Sequence, residues 1–334
     1  MKSTIRINWD LVDDAELYEI KRDGNIIGIT AQTHFDDNNA DYDTTYNYSV
    51  KSIDTDGSNL NSNYSQTIDI NTPKRFLEQW PNAAMAFSMR QLTTIDVDVV
   101  RVRRGVDEMD FNATEIVDGT LTSWCGSDDG YVVKWYDQSG NGLHAFQNVV
   151  TKQPKIVRLG VLETTGIRNK PCISTGAEGY FLIPDMVDAK PSAYSLFAQS
   201  KDDHNSNADS SFFIHRFSDG TVTRSNMGGV STQRNYFYFG NQNGLSANFT
   251  PRNGDTQIRI AFIYDSALTQ PKVWVDDIYG YSDFKGGRLF NSRLYNGGFS
   301  QITYVSKNSE FIVYYSNMES ERLNISDNQE IYWG

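Results

Sequence analysis

Residues 130–142 have the sequence GYVVKWYDQSGNG, and this stretch decides the fold of the larger part of the chain. Aromatic and β-branched residues lead into a polar segment with two glycines, the pattern of a strand that ends in a tight turn. The acidic and hydroxyl side chains can hydrogen bond the local backbone there, and the glycines can adopt a positive φ. The stretch therefore predicts a structural rather than a catalytic role for Trp135, Tyr136, Asp137, Gln138, Ser139, Gly140, Asn141 and Gly142.

Runs of similar type continue on both sides of this stretch, separated by loops rich in Gly, Asn, Asp and Ser. They lie at residues 99–102, 211–214, 236–239, 257–264, 272–275 and 310–314. Such a succession of strands predicts a large two-sheet jelly roll. Two helices are also expected, a short one at 83–92 and a second after Asn317.

The first 72 residues form a separate pattern of short alternating strands with turn signals between them, which predicts a small β-sandwich. Asp23-Gly24 is a hairpin turn signal, an acidic loop is expected at 36–43, and Tyr46 is followed by further alternating apolar residues. Together these features resemble a fibronectin type III module. The resemblance implies that Trp9 is the core tryptophan and Tyr46 the tyrosine-corner residue, although another small sandwich stays open.

Proline and a local charge reversal at Pro73-Lys74-Arg75 interrupt the strand pattern. The sequence therefore predicts a fibronectin type III-like domain at 1–72, a linker at 73–82 and a concanavalin-like or laminin-G-like sandwich at 83–334. The fold class is all-β: a small immunoglobulin- or fibronectin-like sandwich followed by a concanavalin-like jelly-roll sandwich.

The chain is acidic, with 42 Asp and Glu against 30 Lys and Arg among 334 residues and a formal net charge of −12. This sign argues against an electrostatic interaction with nucleic acid or with an anionic membrane. No run approaches the roughly 18 apolar residues of a membrane-spanning helix. We therefore expect neither nucleic acid binding nor membrane insertion.

The sequence predicts no cofactor and no metal. Cys125 and Cys172 form no CxxC pair, and whether they are bridged is open at this level. No catalytic triad order or phosphate loop occurs, and the histidines share no metal-ligand spacing. Residues 203–209 have oxygen-bearing side chains at alternate positions, yet they lack the turn glycine and distal glutamate of a calcium loop, which favours a polar loop. The four histidines are His34, His144, His204 and His215.

An ordered set of motifs around the first stretch carries a more specific resemblance. It comprises Val102-Arg103-Arg104, Asp110-Phe111, residues 130–142, Gln147, Gln153-Pro154, Gly160-Val161-Leu162, Lys170-Pro171 and the closing segment 310–314 with Glu319, Glu321, Arg322 and Ile325. This set resembles the catalytic domain of family 54 α-L-arabinofuranosidases and the related concanavalin-like modules. Arg103 and Arg104, flanked by Asp107, Glu108 and Asp110, could bind a sugar carboxylate, but mixed charge clusters of this kind favour a scaffold role.

The resemblance implies two catalytic carboxylates, and both are missing at the matching positions. The family's nucleophilic glutamate precedes a hydrophobic strand ending in Gly-Asn, where this chain has Asn235. An amide cannot act as that nucleophile. The family's acid lies in a loop before the final core strand, and residues 291–308 contain neither Asp nor Glu. Other carboxylates could still form a pair, and the candidates are Asp265, Asp276, Asp277 and Asp283.

What remains is binding. Aromatic side chains next to Asn-rich loops can stack on sugar faces and hydrogen bond hydroxyls. The residues predicted to contact a glycan are Asn235, Tyr236, Tyr238, Asn241 and Trp274.

The first residues, MKSTIRINWDLVDDA, alternate apolar and polar and do not form the apolar core of a secretion signal. Modules of these two types are typical of extracellular proteins, so another route out of the cell is expected. Lysis of the host cell by a phage is one such route. The leading hypothesis is a non-catalytic, homo-oligomeric phage virion surface protein (spike, fibre or head decoration) that contacts other virion proteins and either binds host-surface glycans or decorates the capsid. The alternatives are an extracellular glycoside hydrolase of the arabinofuranosidase type and a purely structural connector.

Overall fold

Two compact units, Met1–Gln79 and Trp80–Gly334, make up the chain. The computed structural model describes residues 3–54, 61–165, 168–175, 179–183, 191–202, 210–216, 222–227, 234–239, 244–248, 258–267, 272–279, 300–303 and 306–333. These residues are mostly in strands, which confirms the predicted all-β class. The division between the units falls inside the segment predicted as a linker. Part of that segment is helical.

The first unit contains six described strands in two sheets. They are β1 (Ser3–Asn8), β2 (Leu17–Arg22), β3 (Asn25–Thr30), β4 (His34–Ala40), β5 (Thr45–Ile53) and β6 (Ile68–Asn71), followed by a short helix α1 (Phe76–Gln79). One sheet pairs β1 with β4, and the other has the order β3-β2-β5-β6. The core between them is built from Ile5, Ile7, Ile20, Tyr46 and Tyr48, with Trp9 partly buried against it.

Two local features of this unit follow the sequence prediction. Asp23 and Gly24 have φ values of 50° and 79° and connect β2 to β3, as expected of a two-residue hairpin turn. The hydroxyl of Tyr46 accepts a hydrogen bond from the backbone N–H of Asp41 at 2.9 Å. A tyrosine that bonds the backbone a few residues upstream is the geometry of a tyrosine corner.

The prediction of an acidic loop at 36–43 is wrong for most of that range, because β4 extends to Ala40. The strand lies at the edge of its sheet, where polar residues are tolerated. Because of these polar residues, the sequence of the strand shows no clear alternation of apolar residues. Asp37 is buried in it and accepts hydrogen bonds from the Tyr48 hydroxyl and the Arg22 guanidinium, both at 2.7 Å. These two donors explain how a carboxylate can occupy a core position.

The second unit begins with one strand, a β-hairpin and two short helices, and it ends with a longer helix. Its described elements are β7 (Met85–Ser88), β8 (Asp98–Arg104), β9 (Asp107–Asn112), α2 (Ala113–Val117), α3 (Thr120–Cys125), β10 (Gly130–Trp135), β11 (Ala145–Phe146), a 3₁₀ turn (Val150–Lys152), β12 (Lys155–Arg158), β13 (Val161–Leu162), β14 (Thr164–Thr165), β15 (Lys170–Pro171), β16 (Ile173–Ser174), β17 (Tyr180–Ile183), β18 (Ala193–Asp202), β19 (Ser210–Arg216), β20 (Val222–Met227), β21 (Arg234–Phe239), β22 (Gly244–Asn248), β23 (Ile258–Asp265), β24 (Lys272–Val275), β25 (Ile278–Tyr279), β26 (Ser300–Thr303), β27 (Ser306–Tyr314), a 3₁₀ turn (Glu319–Glu321) and α4 (Arg322–Trp333).

These strands form two layers of a sandwich. One layer has the order β25-β24-β23-β18-β27-β7, and the other has the order β9-β8-β10-β11-β17-β26-β19-β20-β21-β22. Between the layers, the ring of Trp135 lies 5.7 Å from that of Phe87, 5.9 Å from that of Phe311 and 6.1 Å from that of Phe181. All four side chains are fully buried, so this aromatic cluster is the centre of the core.

Helix α4, which the sequence predicts after Asn317, packs on β18 and β23. Its Gln329 donates a hydrogen bond at 3.0 Å to Glu310, a fully buried carboxylate on β27. Glu310 also accepts from the Ser88 hydroxyl at 2.7 Å and from the Arg90 guanidinium at 2.7 and 3.0 Å. The buried ion pair joins β27 to the segment after β7, and the hydrogen bond from Gln329 joins the helix to it.

The prediction of a helix at 83–92 is wrong, because strand β7 occupies the centre of that segment. All four residues of β7 are buried, so the segment shows no alternation. A short apolar run of this kind cannot be assigned to strand or helix from periodicity alone.

The two cysteines are buried thiols and do not form a disulfide. Burial raises the pKa of Cys125 to about 11. Within the described residues, no helix is both long and apolar enough to cross a membrane.

Candidate functional site

Asp137 connects the turn after β10 to strand β7. Its Oδ1 accepts the N–H groups of Ala86 at 2.8 Å and of Ser139 at 2.9 Å. Its Oδ2 accepts the Ser139 hydroxyl at 2.8 Å and the N–H of Leu143 at 3.1 Å. The buried carboxylate thus has four donors in place of water, and its acceptor capacity is used by the fold.

Gln138 binds the segment that follows β7. Its side-chain oxygen accepts the N–H of Leu92 at 2.8 Å, and its amide donates to the carbonyls of Ser88 at 3.1 Å and Arg90 at 2.9 Å. The amide is buried, and its three bonds fix the chain as it leaves the sheet.

Asn141 completes the same connection. Its amide donates to the carbonyls of Ala83 and Ala84, both at 3.0 Å. Gly140 and Gly142 have φ values of 88° and 73°, a backbone that L side chains rarely adopt. We call residues 135–142 the clamp, since their side chains hold the backbone of residues 83–92 from one side.

A polar group of side chains lies next to the clamp, on the face of the sheet opposite Trp135. Arg101 donates to Asp110 through Nε at 2.9 Å and through Nη2 at 2.6 Å, and the Tyr136 hydroxyl donates to the same carboxylate at 2.7 Å. The His144 ring lies edge-on to Tyr136 at 5.0 Å, and the Lys134 ammonium lies 5.1 Å from the centre of the Tyr136 ring. We call these five residues the Tyr136 cluster.

The charges of the cluster are set by these contacts. The hydrogen bonds from Arg101 lower the pKa of Asp110, so its carboxylate is charged at neutral pH. Burial, with the carboxylate of Asp110, raises the pKa of Tyr136 and keeps its hydroxyl protonated. Burial also raises the pKa of Asp98 beside the cluster, and the neighbouring Asp110 adds to that shift.

His144 is neutral in this setting. Burial lowers its pKa, and the nearby Lys134 ammonium lowers it further. Its Nδ1 accepts the N–H of Asp137 at 3.1 Å, so the ring proton is on Nε2. The motif at 130–142 predicted the turn but not its partners at 83–92, and nothing in the sequence connected His144 or Arg101 to it.

We expect the second unit to lose stability as the pH falls below about 6.5, the usual pKa of an exposed histidine. The pKa of His144 is lower in the folded chain, so below that pH the unfolded chain binds the proton more readily. The loss should continue down to the folded-state pKa and then level off. Urea unfolding between pH 5 and 8 measures it. The variant His144→Gln should show a smaller loss than His34→Gln, and equal losses would contradict the assignment.

Arg103 and Arg104 bind other parts of the fold rather than a sugar carboxylate. Arg103 donates to the side chain of Gln153 at 2.7 Å. Arg104 donates to the carbonyl of Trp124 and lies 3.3 Å from Asp107. Both guanidinium groups therefore connect neighbouring loops of the fold.

The predicted glycan contacts fall in different places. Asn235, Tyr236 and Tyr238 lie on β21, whose side chains are outside the described part of the structure, and Asn241 lies outside the described residues. Trp274 is only 9% exposed, and the Arg322 guanidinium covers its ring at 4.6 Å. Trp274 is therefore a packing residue and offers no open stacking face, which corrects its predicted role.

The candidate carboxylates hold turns. Asp265 accepts the N–H of Ala267 and the amide of Asn317, both at 2.9 Å, and these bonds lower its pKa. Asp276 accepts the N–H of Arg259 at 2.9 Å. Asp283, like the polar loop at 203–209, lies outside the described residues.

Asp277 belongs to an ionic group that joins α4 to the β24–β25 turn. It pairs with Arg322 at 2.8 Å and with Arg259 at 3.2 Å. Asp327 and Glu330 lie close enough to share a cation with it. However, Arg259 also pairs with Glu330 at 3.0 Å, so two guanidinium groups already balance these carboxylates.

No family model matches the chain, and no curated protein matches its sequence. Solved structures do resemble it. A glycoside hydrolase family 54 α-L-arabinofuranosidase variant soaked with 4-nitrophenyl α-L-arabinofuranoside has a TM-score of 0.53 at 12% identity, covering 74% of this chain and 62% of that one. An arabinofuranosidase complexed with arabinofuranosyl-α-1,2-xylobiose has a TM-score of 0.51 with the same identity and coverage. This chain spans about 62% of the length of those enzymes. At this identity the likeness establishes a shared all-β sandwich fold.

Proposed function

We propose that the second unit is a non-catalytic carbohydrate-binding sandwich. The observation that carries the proposal is a sandwich fold shared with arabinofuranosidases. The sequence resemblance supports it, since it implies that the amide of Asn235 stands where their nucleophilic glutamate would be. A retaining glycosidase needs two carboxylates about 5–5.5 Å apart. A chain that keeps the sandwich but lacks one of them retains the means to bind a sugar, not to cleave it.

Four of the described carboxylates support this reading. Asp137 is used by the clamp, and Asp265 and Asp276 accept backbone N–H groups in turns. Asp277 is paired with two guanidinium groups. A nucleophile or general acid needs access to the substrate, and these carboxylates are committed to other partners.

The test combines hydrolysis and binding in one preparation of the full chain. We expect no release of nitrophenol from 4-nitrophenyl α-L-arabinofuranoside or from other aryl glycosides, and we expect binding to a subset of an immobilised glycan panel. Turnover that disappears on substitution of one Asp or Glu would overturn the non-catalytic proposal in favour of a glycosidase. No binding at high protein concentration would favour a structural connector.

We further propose that the first unit is a fibronectin type III-like spacer and that the chain, as a homo-oligomer, acts with other virion proteins on the surface of a phage particle. The tyrosine corner at Tyr46 supports the module type. The pairing of such a spacer with a carbohydrate-type sandwich fits a spike, fibre or head decoration. Antibodies against the chain should label intact particles. Labelling confined to the medium after particle removal would favour an extracellular protein.

A further inference from the structure

We infer that the Tyr136 cluster is a binding site for a neutral sugar ring, recognised through adjacent hydroxyl groups. The inference rests on the proposed carbohydrate-binding function and gives it a location. That location, on strands β8, β9 and β10 and the clamp, differs from the predicted contacts on β21 and β24.

The cluster has hydrogen-bond donors that the protein does not use. In the described part of the chain, the ammonium of Lys134 makes no hydrogen bond or ion pair, and it lies 5.1 Å from the centre of the Tyr136 ring. The Nε2–H of His144 likewise has no protein acceptor among the described residues, because the ring's one hydrogen bond is made through Nδ1. Both side chains are half-buried and neither donor nitrogen is cut off from solvent, so a ligand can take the hydrogen bonds that water makes there.

Acceptors lie beside these donors. Asp110 is held in one orientation by Arg101 and Tyr136 and remains partly exposed. Asp98 makes no hydrogen bond or ion pair among the described residues, and Asp110 is its strongest charged neighbour. A sugar hydroxyl both donates and accepts, so neighbouring hydroxyls match adjacent donors and acceptors of this kind.

The charges argue against an acidic ligand. Two cations, Arg101 and Lys134, are balanced by the carboxylates of Asp98 and Asp110. Asp96 and Glu115 add negative charge near Asp98. A sugar acid would meet repulsion from these carboxylates, whereas a cation would meet the ammonium of Lys134.

Four of the five cluster residues, Arg101, Asp110, Tyr136 and His144, are also held in place by hydrogen bonds within the fold. Cross-strand pairs place Arg101 opposite both Asp110 and Lys134. The clamp fixes His144 through the N–H of Asp137. Side chains held before the ligand arrives lose little entropy on binding, which favours recognition by a few hydrogen bonds.

The test uses Lys134→Met, which keeps the packing on Tyr136 but removes the ammonium, and His144→Gln, which keeps an acceptor for Asp137. The matched control is Lys155→Met. Lys155 also lies over a tyrosine ring of the same sheet, at 5.2 Å from the centre of Tyr131, but its ammonium is paired with Asp129 at 2.6 Å. On the neutral glycan that the full chain binds best, each site variant should weaken binding about tenfold, the effect of one hydrogen bond to a charged or buried donor. The control should stay within about twofold.

A second measurement uses the unaltered protein. The chain has four histidines, so the imidazole resonances can be assigned by substitution. Adding the glycan should shift the Nε2–H resonance of His144 and not that of His34. If the protein binds glycans but the variants and the His144 resonance are unaffected, the location is wrong and the proposed function stands. If no neutral glycan binds, the inference fails, and binding of acidic glycans alone would contradict its ligand class.

Discussion

Replacing Arg90 by methionine should lower the free energy of unfolding of the second unit by about 3–5 kcal/mol, the cost of leaving one partner of a buried ion pair alone. Glu310 is fully buried beneath α4 and receives two of its four hydrogen bonds from Arg90. Ser88 and Gln329 supply the other two, and neither carries a charge. Without the guanidinium, the carboxylate is a buried charge without a counter-charge among its hydrogen-bond donors.

Urea unfolding, followed by tryptophan fluorescence at constant pH, measures this loss. The double variant Arg90→Met, Glu310→Gln should recover much of it, because a neutral amide at 310 removes the uncompensated charge. Arg104→Met is the matched control. Its guanidinium is about one-third exposed and its partner Asp107 is mostly exposed, but it also donates to the carbonyl of Trp124, so the expected loss is about 1–2 kcal/mol. If Arg90→Met costs no more than Arg104→Met, the buried pair does not stabilise the second unit.

The residues of the clamp illustrate which parts of the structure were predictable. Gly140, Gly142, Asp137 and Ser139 act within a few residues of one another, so their turn chemistry is visible in the sequence. Their partners are not visible, because Ala86 is 51 positions away from Asp137 and lies in a segment predicted as helix. Local signals identified the turn, whereas the fold alone determines what the turn holds.

The Tyr136 cluster could not be assembled from sequence for a related reason. The register of β10 shifts between Val132 and Lys134, so the strand departs from simple alternation. The shift places Lys134 and Tyr136 on the face opposite the buried Val132, although Tyr136 was expected only to support a turn. Asp110 was grouped with Arg103 and Arg104 on proximity along the chain, whereas its partner is Arg101, directly opposite on the neighbouring strand.

Replacing Asp137 by alanine should lower the free energy of unfolding of the second unit by on the order of 4 kcal/mol. The change leaves the backbone N–H groups of Ala86, Ser139 and Leu143 without their acceptor in a buried turn. Asp137→Asn should lower the free energy of unfolding by about half as much. Its side-chain oxygen can still serve two of those donors, while its amide would face the others. Thermal and urea unfolding of the three proteins measure the series, and the order wild type, Asn, Ala is the expected result.

The order of that series separates two roles for the motif. If the carboxylate acts only as a clamp, Asp137→Asn folds, and binding to glycans falls no further than the lost stability of the fold accounts for. If Asp137 contacts a ligand itself, binding falls in Asp137→Asn while stability is little changed. The geometry favours the first outcome, because both carboxylate oxygens already have two donors each, and a fifth would have to displace one of them.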